Sequence, residues 1–460
     1  MQPTRRSLLL SALGAGWGAI APAWALPAAA AALPSARQMR WHALETCAFV
    51  HFSINTFTGK EWGYGDESPA QFDPAGFDAG QIVACAKSAG LRGIVLTAKH
   101  HDGFCLWPSA YTEHCIRNSP YRGGRGDIVA EMAQACREQG LAFGLYLSPW
   151  DRNHPDYGKP AYVEYYRAQL RELLTGYGEL FELWFDNANG GDGYYGGARE
   201  TRAIDAASYY DWPATWRMVR ELQPNAVIWG GAGSDIRWVG NEDGYAGDPC
   251  WATMDTGAFS VERNQSGVRG GAQWRPAEAD VSIRPGWFWH AGEDDQVKTP
   301  SQLMRIYLQS VGRGAGLLLN LAPDRHGRIP PGDAASLRAW GALRQRIFSR
   351  DLAQDARRRQ TGAELLLELP RDATFNLLRL RERLALGHRV SAYAVDVWQG
   401  GAARGWLEVA RGSAIGYQRL LELPQPVTAR RLRLRILAAD AAPEISEFGV
   451  FLMPTDLTNT

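Results

Sequence analysis

Leu183-Trp184-Phe185-Asp186 ends an apolar run with a carboxylate flanked by two aromatic rings. In a β-strand successive side chains alternate, so Trp184 and Asp186 share one face while Phe181, Leu183 and Phe185 share the other. The apolar set can pack on helices, leaving a carboxylate above an aromatic floor, an arrangement suited to sugar chemistry. Asp186 could instead cap a following helix, but a Gly/Asn-rich stretch, residues 187–197, follows it. Glycoside hydrolysis usually takes two carboxyl groups, one to attack or to position water and one to protonate the leaving oxygen. The second is sought in Arg237-Trp238-Val239-Gly240-Asn241-Glu242-Asp243-Gly244, where Glu242 occupies a Gly-flanked loop well separated from Asp186. On sequence alone Asp235, Asp243 and Asp248 compete with it.

Other polar clusters end short apolar runs. His51 lies in Phe49-Val50-His51-Phe52-Ser53 and is followed by Glu61-Trp62; a second run ends Lys99-His100-His101-Asp102-Gly103-Phe104, a third Tyr146-Leu147-Ser148-Pro149-Trp150. Adjacent histidines on an extended chain point to opposite sides and do not readily share one ion, so a metal-dependent hydrolase is the lesser reading. No metal and no cofactor are expected. No G-x-S-x-G elbow supports an acyl-transfer triad.

These residues need a scaffold that brings strand ends together. Strands are expected at Cys47–Ser53, Gly93–Ala98, Ala142–Leu147, Leu180–Phe185, Ala226–Trp229, Trp287–Trp289 and Leu317–Leu321, with a further one near Cys250–Met254. Helical patterns cover Ala79–Ser88, Ile128–Gln139, Tyr162–Tyr177, Trp212–Leu222 and Ser301–Val311. About eight such alternations favour a (β/α)8 barrel, whose catalytic groups rise from the C-terminal strand ends. Ala334–Phe348 reads as a closing helix, followed by a helix-compatible charged stretch, Ser349–Arg359. Beyond it, Glu364–Leu369, Phe375–Arg381, Val390–Trp398, Trp406–Ala410, Gln418–Leu423, Arg431–Ile436 and Phe448–Phe451 form the pattern of an antiparallel β-sandwich. The expected units are a catalytic barrel over residues 34–350 and a sandwich over 360–455.

Composition agrees with an uncharged ligand. Lys+Arg and Asp+Glu both number 49, which leaves no global field for nucleic acid or an anionic membrane. Eighteen Trp and 17 Tyr supply rings that stack on the C–H faces of sugars. The N-terminus runs Thr4-Arg5-Arg6-Ser7-Leu8-Leu9-Leu10 into a small, apolar stretch with Ala23-Trp24-Ala25 as a cleavage site. Residues 1–25 thus read as a twin-arginine signal peptide, and the mature chain as exported, periplasmic or secreted, with no membrane attachment. Six cysteines lack C-x-x-C spacing, and no disulfide pairing is assigned.

From about Pro34 to Pro323 the sequence resembles glycoside hydrolase family 29, the retaining α-L-fucosidases. The matching motifs are Phe49-Val50-His51-Phe52 with Asn55-Thr56-Phe57, Glu61-Trp62-Gly63, Lys99-His100-His101-Asp102-Gly103-Phe104, Tyr146-Leu147-Ser148-Pro149-Trp150, Trp184-Phe185-Asp186 and Arg284-Pro285-Gly286-Trp287-Phe288. The β-rich tail is similar to the carbohydrate-binding-like sandwich of many members. The resemblance implies that Asp186 is the nucleophile and that His51, Glu61, Trp62, His100, His101, Tyr146, Trp184, Arg237 and Trp287 surround fucose. The Arg237–Glu242 segment resembles the subgroup selective for α-1,3 and α-1,4 linkages, in which the Glu of this segment is the acid/base. Asn187 departs from the Gly that many members carry after the nucleophile. The implied substrates are fucosylated oligosaccharides or glycoprotein glycans. A fucosidase of broad linkage specificity and a non-catalytic carbohydrate-binding protein are the alternatives.

Overall fold

The computed structural model describes residues 32–257, 260–400 and 404–454; the expected leader, residues 1–25, lies outside them. Eight parallel strands form its first sheet: β1 (Thr46–Val50), β2 (Gly93–Lys99), β3 (Ala142–Leu147), β4 (Glu182–Trp184), β5 (Val227–Trp229), β6 (Arg237–Trp238), β7 (Ala277–Ser282) and β8 (Gly316–Leu321). Their order is β5-β4-β3-β2-β1-β8-β7-β6. The two edges meet where Trp229 pairs in parallel with Ile236, and the N–H groups of Asp235 and Ile236 both donate to Ile228 O, at 2.8 and 3.1 Å. The result is the expected TIM-like near-barrel.

Helix α1 (Ala36–Leu44) precedes β1; α2 (Ala79–Ser88), α3 (Ile128–Gln139), α4 (Pro160–Gly176) and α5 (Trp212–Leu222) make the first four crossovers. α6 (Pro300–Gln309) joins β7 to β8, and α7 (Pro331–Phe348) follows. Local sequence sets their ends. Asp78 and Asp127 cap α2 and α3 by accepting from Gln81 N and Ala130 N, both at 2.9 Å. Thr299 and Gln302 form a capping box before α6, with Pro300 at its first turn. Gly140 ends α3 in a left-handed conformation at φ 75°.

Parity on β4 is as expected: Leu183 and Phe185 join the layer between strands and helices, whereas Trp184 joins Phe49, Val95, Tyr146, Val227, Trp229 and Leu318 inside the barrel. Each fully buried aliphatic side chain of the outer layer contributes about 1.5–3 kcal/mol of transfer free energy. Phe181 departs, because it precedes the strand and turns its ring beneath the barrel toward Gly93 and Gly144.

Two expected strands are corrected, and one barrel strand was not expected. Trp287–Trp289 is loop, and the seventh strand is Ala277–Ser282. Near Cys250–Met254, only Thr253–Met254 is strand, and it pairs with Gln273–Trp274 outside the barrel. The sixth barrel strand is instead Arg237–Trp238, reached from β5 by a loop without a helix.

After α7, Ser349–Arg359 is not helical; it leads into β9 (Arg357–Thr361). β10 (Glu364–Glu382), β11 (Val390–Gln399), β12 (Gly405–Gly412), β13 (Arg419–Ala439) and β14 (Ile445–Phe451) complete an antiparallel sheet ordered β9-β10-β13-β11-β12, with β14 against β10. Pro370 and Pro424 were natural turn signals, yet both lie inside strands, of 19 and 21 residues. The β10–β13 register slips between Glu368 and Ala373, and such bulges accommodate residues that lack an N–H. Leu367, Phe375, Leu378, Val395, Leu432 and Phe448 give this unit its own core. It is tied to the barrel by Arg381 and Tyr417, both bonded to Glu45 (2.7 and 2.8 Å), and by Arg419 with Asp248 at 2.6 Å. All six cysteines are free thiols. Among the described residues no helix is long and apolar enough to cross a membrane.

Candidate active site

A cavity of about 310 Å³ opens at the C-terminal ends of the strands. Among its lining residues are His51, Trp62, His100, His101, Tyr146, Trp184, Asp186, Glu242 and Trp287, which sequence reasoning had singled out. Phe49, Asn187, Ala188, Trp229, Trp238 and Asp280 also line it. A larger cleft of about 1490 Å³ lies at the opposite strand ends, against the antiparallel unit. In barrels that face serves stability and the C-terminal face serves chemistry.

Asp186 leaves β4 just above Trp184. Tyr146 OH donates to its Oδ2 at 3.0 Å, and the Ala188 N–H donates to Oδ1 at 2.8 Å. Burial, reinforced by the Asp186 charge, pushes the Tyr146 phenol well up, so it remains a donor. Trp184 lies flat on Trp229, with centroids 3.4 Å apart, and its Nε1 donates to Glu278 at 3.1 Å. Those contacts fix the indole that floors the cavity.

The hydrogen-bond network assigns the histidine tautomers. Asn320 donates its amide to Ser282 Oγ and Trp287 O, so its Oδ1 accepts from His51 Nδ1 at 2.8 Å. Ser148 Oγ donates to Trp150 O and therefore accepts from His101 Nδ1, both at 2.7 Å. The Nε2 atoms of His51 and His101 are left as acceptors, and that of His101 lies 3.7 Å from Asp186 Oδ2. Burial lowers the pKa of His51 to about 3 and of His101 to about 4, and drives that of His100 well down. All three rings are neutral near neutral pH. No lysine or arginine occurs among the described residues lining the cavity. Neutral acceptors, indole faces and the absence of a cation suit an uncharged polyol rather than a phosphate or carboxylate.

Glu242 stands at the exposed rim and accepts from Trp287 Nε1 at 3.3 Å. Partial burial, then the negative charge of Asp186, raise its pKa despite the Trp287 bond. Its competitors are otherwise engaged. Asp235 pairs with Arg37 and Arg220 and accepts from Ile228 N, Asp248 pairs with Arg419, and neither they nor Asp243 line the cavity.

Two residues expected to contact the sugar do not line the cavity. Arg237 is buried and turned away: its guanidinium donates to Asn264 O at 2.9 Å, Trp251 O at 2.8 Å and Arg275 O. Only alternate residues of a strand face inward, and here Trp238 does so, bonded to Asp280 at 2.9 Å. Glu61 lies outside the lining as well. It accepts from the N–H groups of Trp287 and Phe288 at 2.9 and 3.2 Å and contacts His290 at 2.8 Å, so it shapes the Trp287 loop. A Cβ at Gly286 would come 2.6 Å from Glu61 Oε1, so a side chain there would displace that carboxylate. Arg284 anchors the same loop through two bonds to Asp333, at 2.7 and 2.8 Å.

Asp280 was missed. Ala277-Glu278-Ala279-Asp280-Val281-Ser282 alternates small and polar residues like a solvent-exposed ribbon, but its polar face points inward. Trp229 and Trp238 carry no signal beyond membership of short apolar runs.

A TIM-like barrel whose aromatic, cation-free cavity holds one carboxylate deep and another at the rim defines a glycoside-hydrolysing enzyme. Residues 20–346 match the family model described as alpha-L-fucosidase. The chain is 39% identical over 464 residues to Alpha-L-fucosidase 1 of Arabidopsis thaliana, covering 93% of this chain and 88% of that one. A glycoside hydrolase 29 family member from an unknown rumen bacterium superposes with a TM-score of 0.89 at 45% identity, covering 92% and 78% of the two chains. A Ruminococcus gnavus family 29 fucosidase in complex with fucose gives 0.81 at 29% identity, covering 95% and 98%. The chain belongs to glycoside hydrolase family 29 and is an α-L-fucosidase acting on fucose-containing substrates.

Proposed function

We propose that the enzyme is a retaining exo-α-L-fucosidase in which Asp186 is the nucleophile and Glu242 the acid/base. The observation that carries this reading is that Asp186, steadied by Tyr146 and Ala188, shares one cavity with a rim carboxyl, Glu242, whose proton affinity is raised. In the first step Asp186 attacks the anomeric carbon while Glu242 protonates the departing oxygen; in the second, Glu242 takes a proton from water, which displaces Asp186 and releases L-fucose with its configuration retained. His51, His100 and His101 receive sugar hydroxyls, Trp184 floors the ring, and Trp62 and Trp287 border the mouth. Selectivity for α-1,3 and α-1,4 linkages is proposed from the Arg237–Glu242 segment. Its natural substrates would then be Lewis-type oligosaccharides or glycoprotein glycans. The N-terminal pattern supports export, with residues 34–350 as the catalytic unit and 360–455 as a carbohydrate-binding-like unit.

Cleavage of α-1,2-, α-1,3-, α-1,4- and α-1,6-fucosides at equal concentration tests the linkage. Faster release from the 1,3 and 1,4 linkages is expected, and equal rates or a 1,2 or 1,6 preference would overturn the selectivity. Proton NMR of the first-formed fucose tests the stereochemistry: the α anomer is expected, and initial β-fucose would reject retention.

A further inference from the structure

We propose that Asp280 is a substrate-binding residue of this site, acting as an uncharged carboxylic acid that accepts from Trp238 and donates its own proton to a hydroxyl oxygen of the bound fucosyl ring. The proposal rests on the assignment of this cavity as the fucose site, and is independent of whether Glu242 is the acid/base.

The cavity contains three carboxyl groups, Asp186, Glu242 and Asp280, and none of its described lining residues is Lys or Arg. Its histidines are neutral, so three negative charges in this space would repel one another with nothing to balance them. Geometry places Asp280 among the groups that go uncharged, whether or not Glu242 also holds its proton. Asp186 is partly open, with a side-chain exposure of 24%, and has two donors; Glu242 stands at the rim. Asp280 is only 3% exposed, and among the described residues the side-chain donor bonded to it is the Trp238 indole, 2.9 Å from Oδ1.

The groups facing Asp280 give it no reason to ionise. Glu242 approaches from the rim loop, held beside β7 by the Asp243–Val281 bridge, and Glu278 lies two residues back on the same inward face. Across the sheet its register partner on β8 is Leu318. Burial, then the charge of Glu242, push the Asp280 carboxyl well above the usual carboxylate range. With Oδ1 accepting from Trp238, the protonated oxygen supplies a donor in a cavity where His51 and His101 present acceptors. A sugar hydroxyl both donates and accepts, so a pocket that binds it well needs both kinds of partner.

The test compares Asp280→Ala with Asp280→Asn, since an amide offers the same acceptor and donor without a proton to lose. On an aryl α-L-fucoside, Asp280→Ala is expected to lower kcat/KM about tenfold or more, mainly through KM, the size of one lost hydrogen bond, and Asp280→Asn to recover most of that loss. An aryl leaving group needs little protonation, so the alkaline fall of kcat/KM reports Asp280 more than Glu242. Wild type is expected to lose activity as Asp280 ionises, and Asp280→Asn to hold it to higher pH. Asp280→Asn as impaired as Asp280→Ala, with both melting cooperatively, would show that the ionised form is the working one and overturn the proposal; so would an unimpaired Asp280→Ala or an unshifted alkaline limb. If Asp280→Ala does not fold, the kinetics and pH profile of Asp280→Asn decide. Failure of L-fucose to inhibit the wild-type enzyme competitively would instead reject the cavity as the fucose site.

Discussion

The proposed mechanism gives Asp186 and Glu242 different chemical burdens, and kinetics separates them. Asp186→Ala is expected to lower kcat by more than about 1000-fold, with azide restoring turnover to give the inverted fucosyl azide. Glu242→Ala should slow natural oligosaccharides far more than activated aryl fucosides, because only the poor leaving group depends on its proton. Comparable losses on both substrates would reject the acid/base role. Asp186 was legible in sequence because parity, a strand exit and an aromatic neighbour all pointed the same way. Glu242 was not separable from Asp235, Asp243 and Asp248 by residue type. The ion pairs of Asp235 with Arg37 and Arg220 and of Asp248 with Arg419, set by the fold, distinguish those two, and Asp243 lies outside the cavity lining.

At the scale of elements, the loop carrying Trp287 depends on Glu61 and Arg284, and the segment after β6 on Arg237. Arg237→Ala leaves three carbonyls without their donor, and is expected to cost about 2–4 kcal/mol of stability while changing KM little; chemical denaturation beside steady-state kinetics checks both. Glu61→Ala frees the Trp287 backbone and should raise KM with a smaller effect on stability, measured in the same way. Helices α2, α3 and α6 were readable to within two residues because Asp and Thr caps coincide with apolar periodicity, whereas α1 was not expected. The seventh strand was not, because Glu278 and Asp280 point into the barrel against the usual inside-apolar pattern. The seven-residue gap that links β5 to β6 likewise gave no crossover signal. In the second unit, Pro370 and Pro424 mimic turns, and only the register slip of a long strand pair reveals them as bulges.

Across the whole molecule, buried titratable groups set the response to pH. His42 and His51 have pKa values lowered to about 3 and His101 to about 4, and His100 lies well down too, against an unfolded value near 6.5. The unfolded chain therefore takes up protons that the fold excludes, and stability is lost as pH falls from about 6.5 toward 4. Asp102 and Glu278, raised to about 7, and Glu182 and Asp280, raised well above the usual carboxylate range, act oppositely and lose stability as pH rises. The His42→Gln variant, which lacks one of these buried rings, should lose less melting temperature than the wild type as pH is lowered from about 6.5 to about 4.5, and an equal loss would contradict the part assigned to His42. Fold class was legible at this scale from alternation alone, whereas closure of the barrel between Trp229 and Ile236 depends on a single bridge that no periodicity announces. In the proposed mechanism Asp186 becomes covalently bonded to fucose. Mass spectrometry of enzyme treated with a fluorinated fucosyl fluoride, followed by peptide mapping, reads that bond: one fucosyl adduct on Asp186 is expected, and an adduct on another residue would overturn the assignment of the nucleophile.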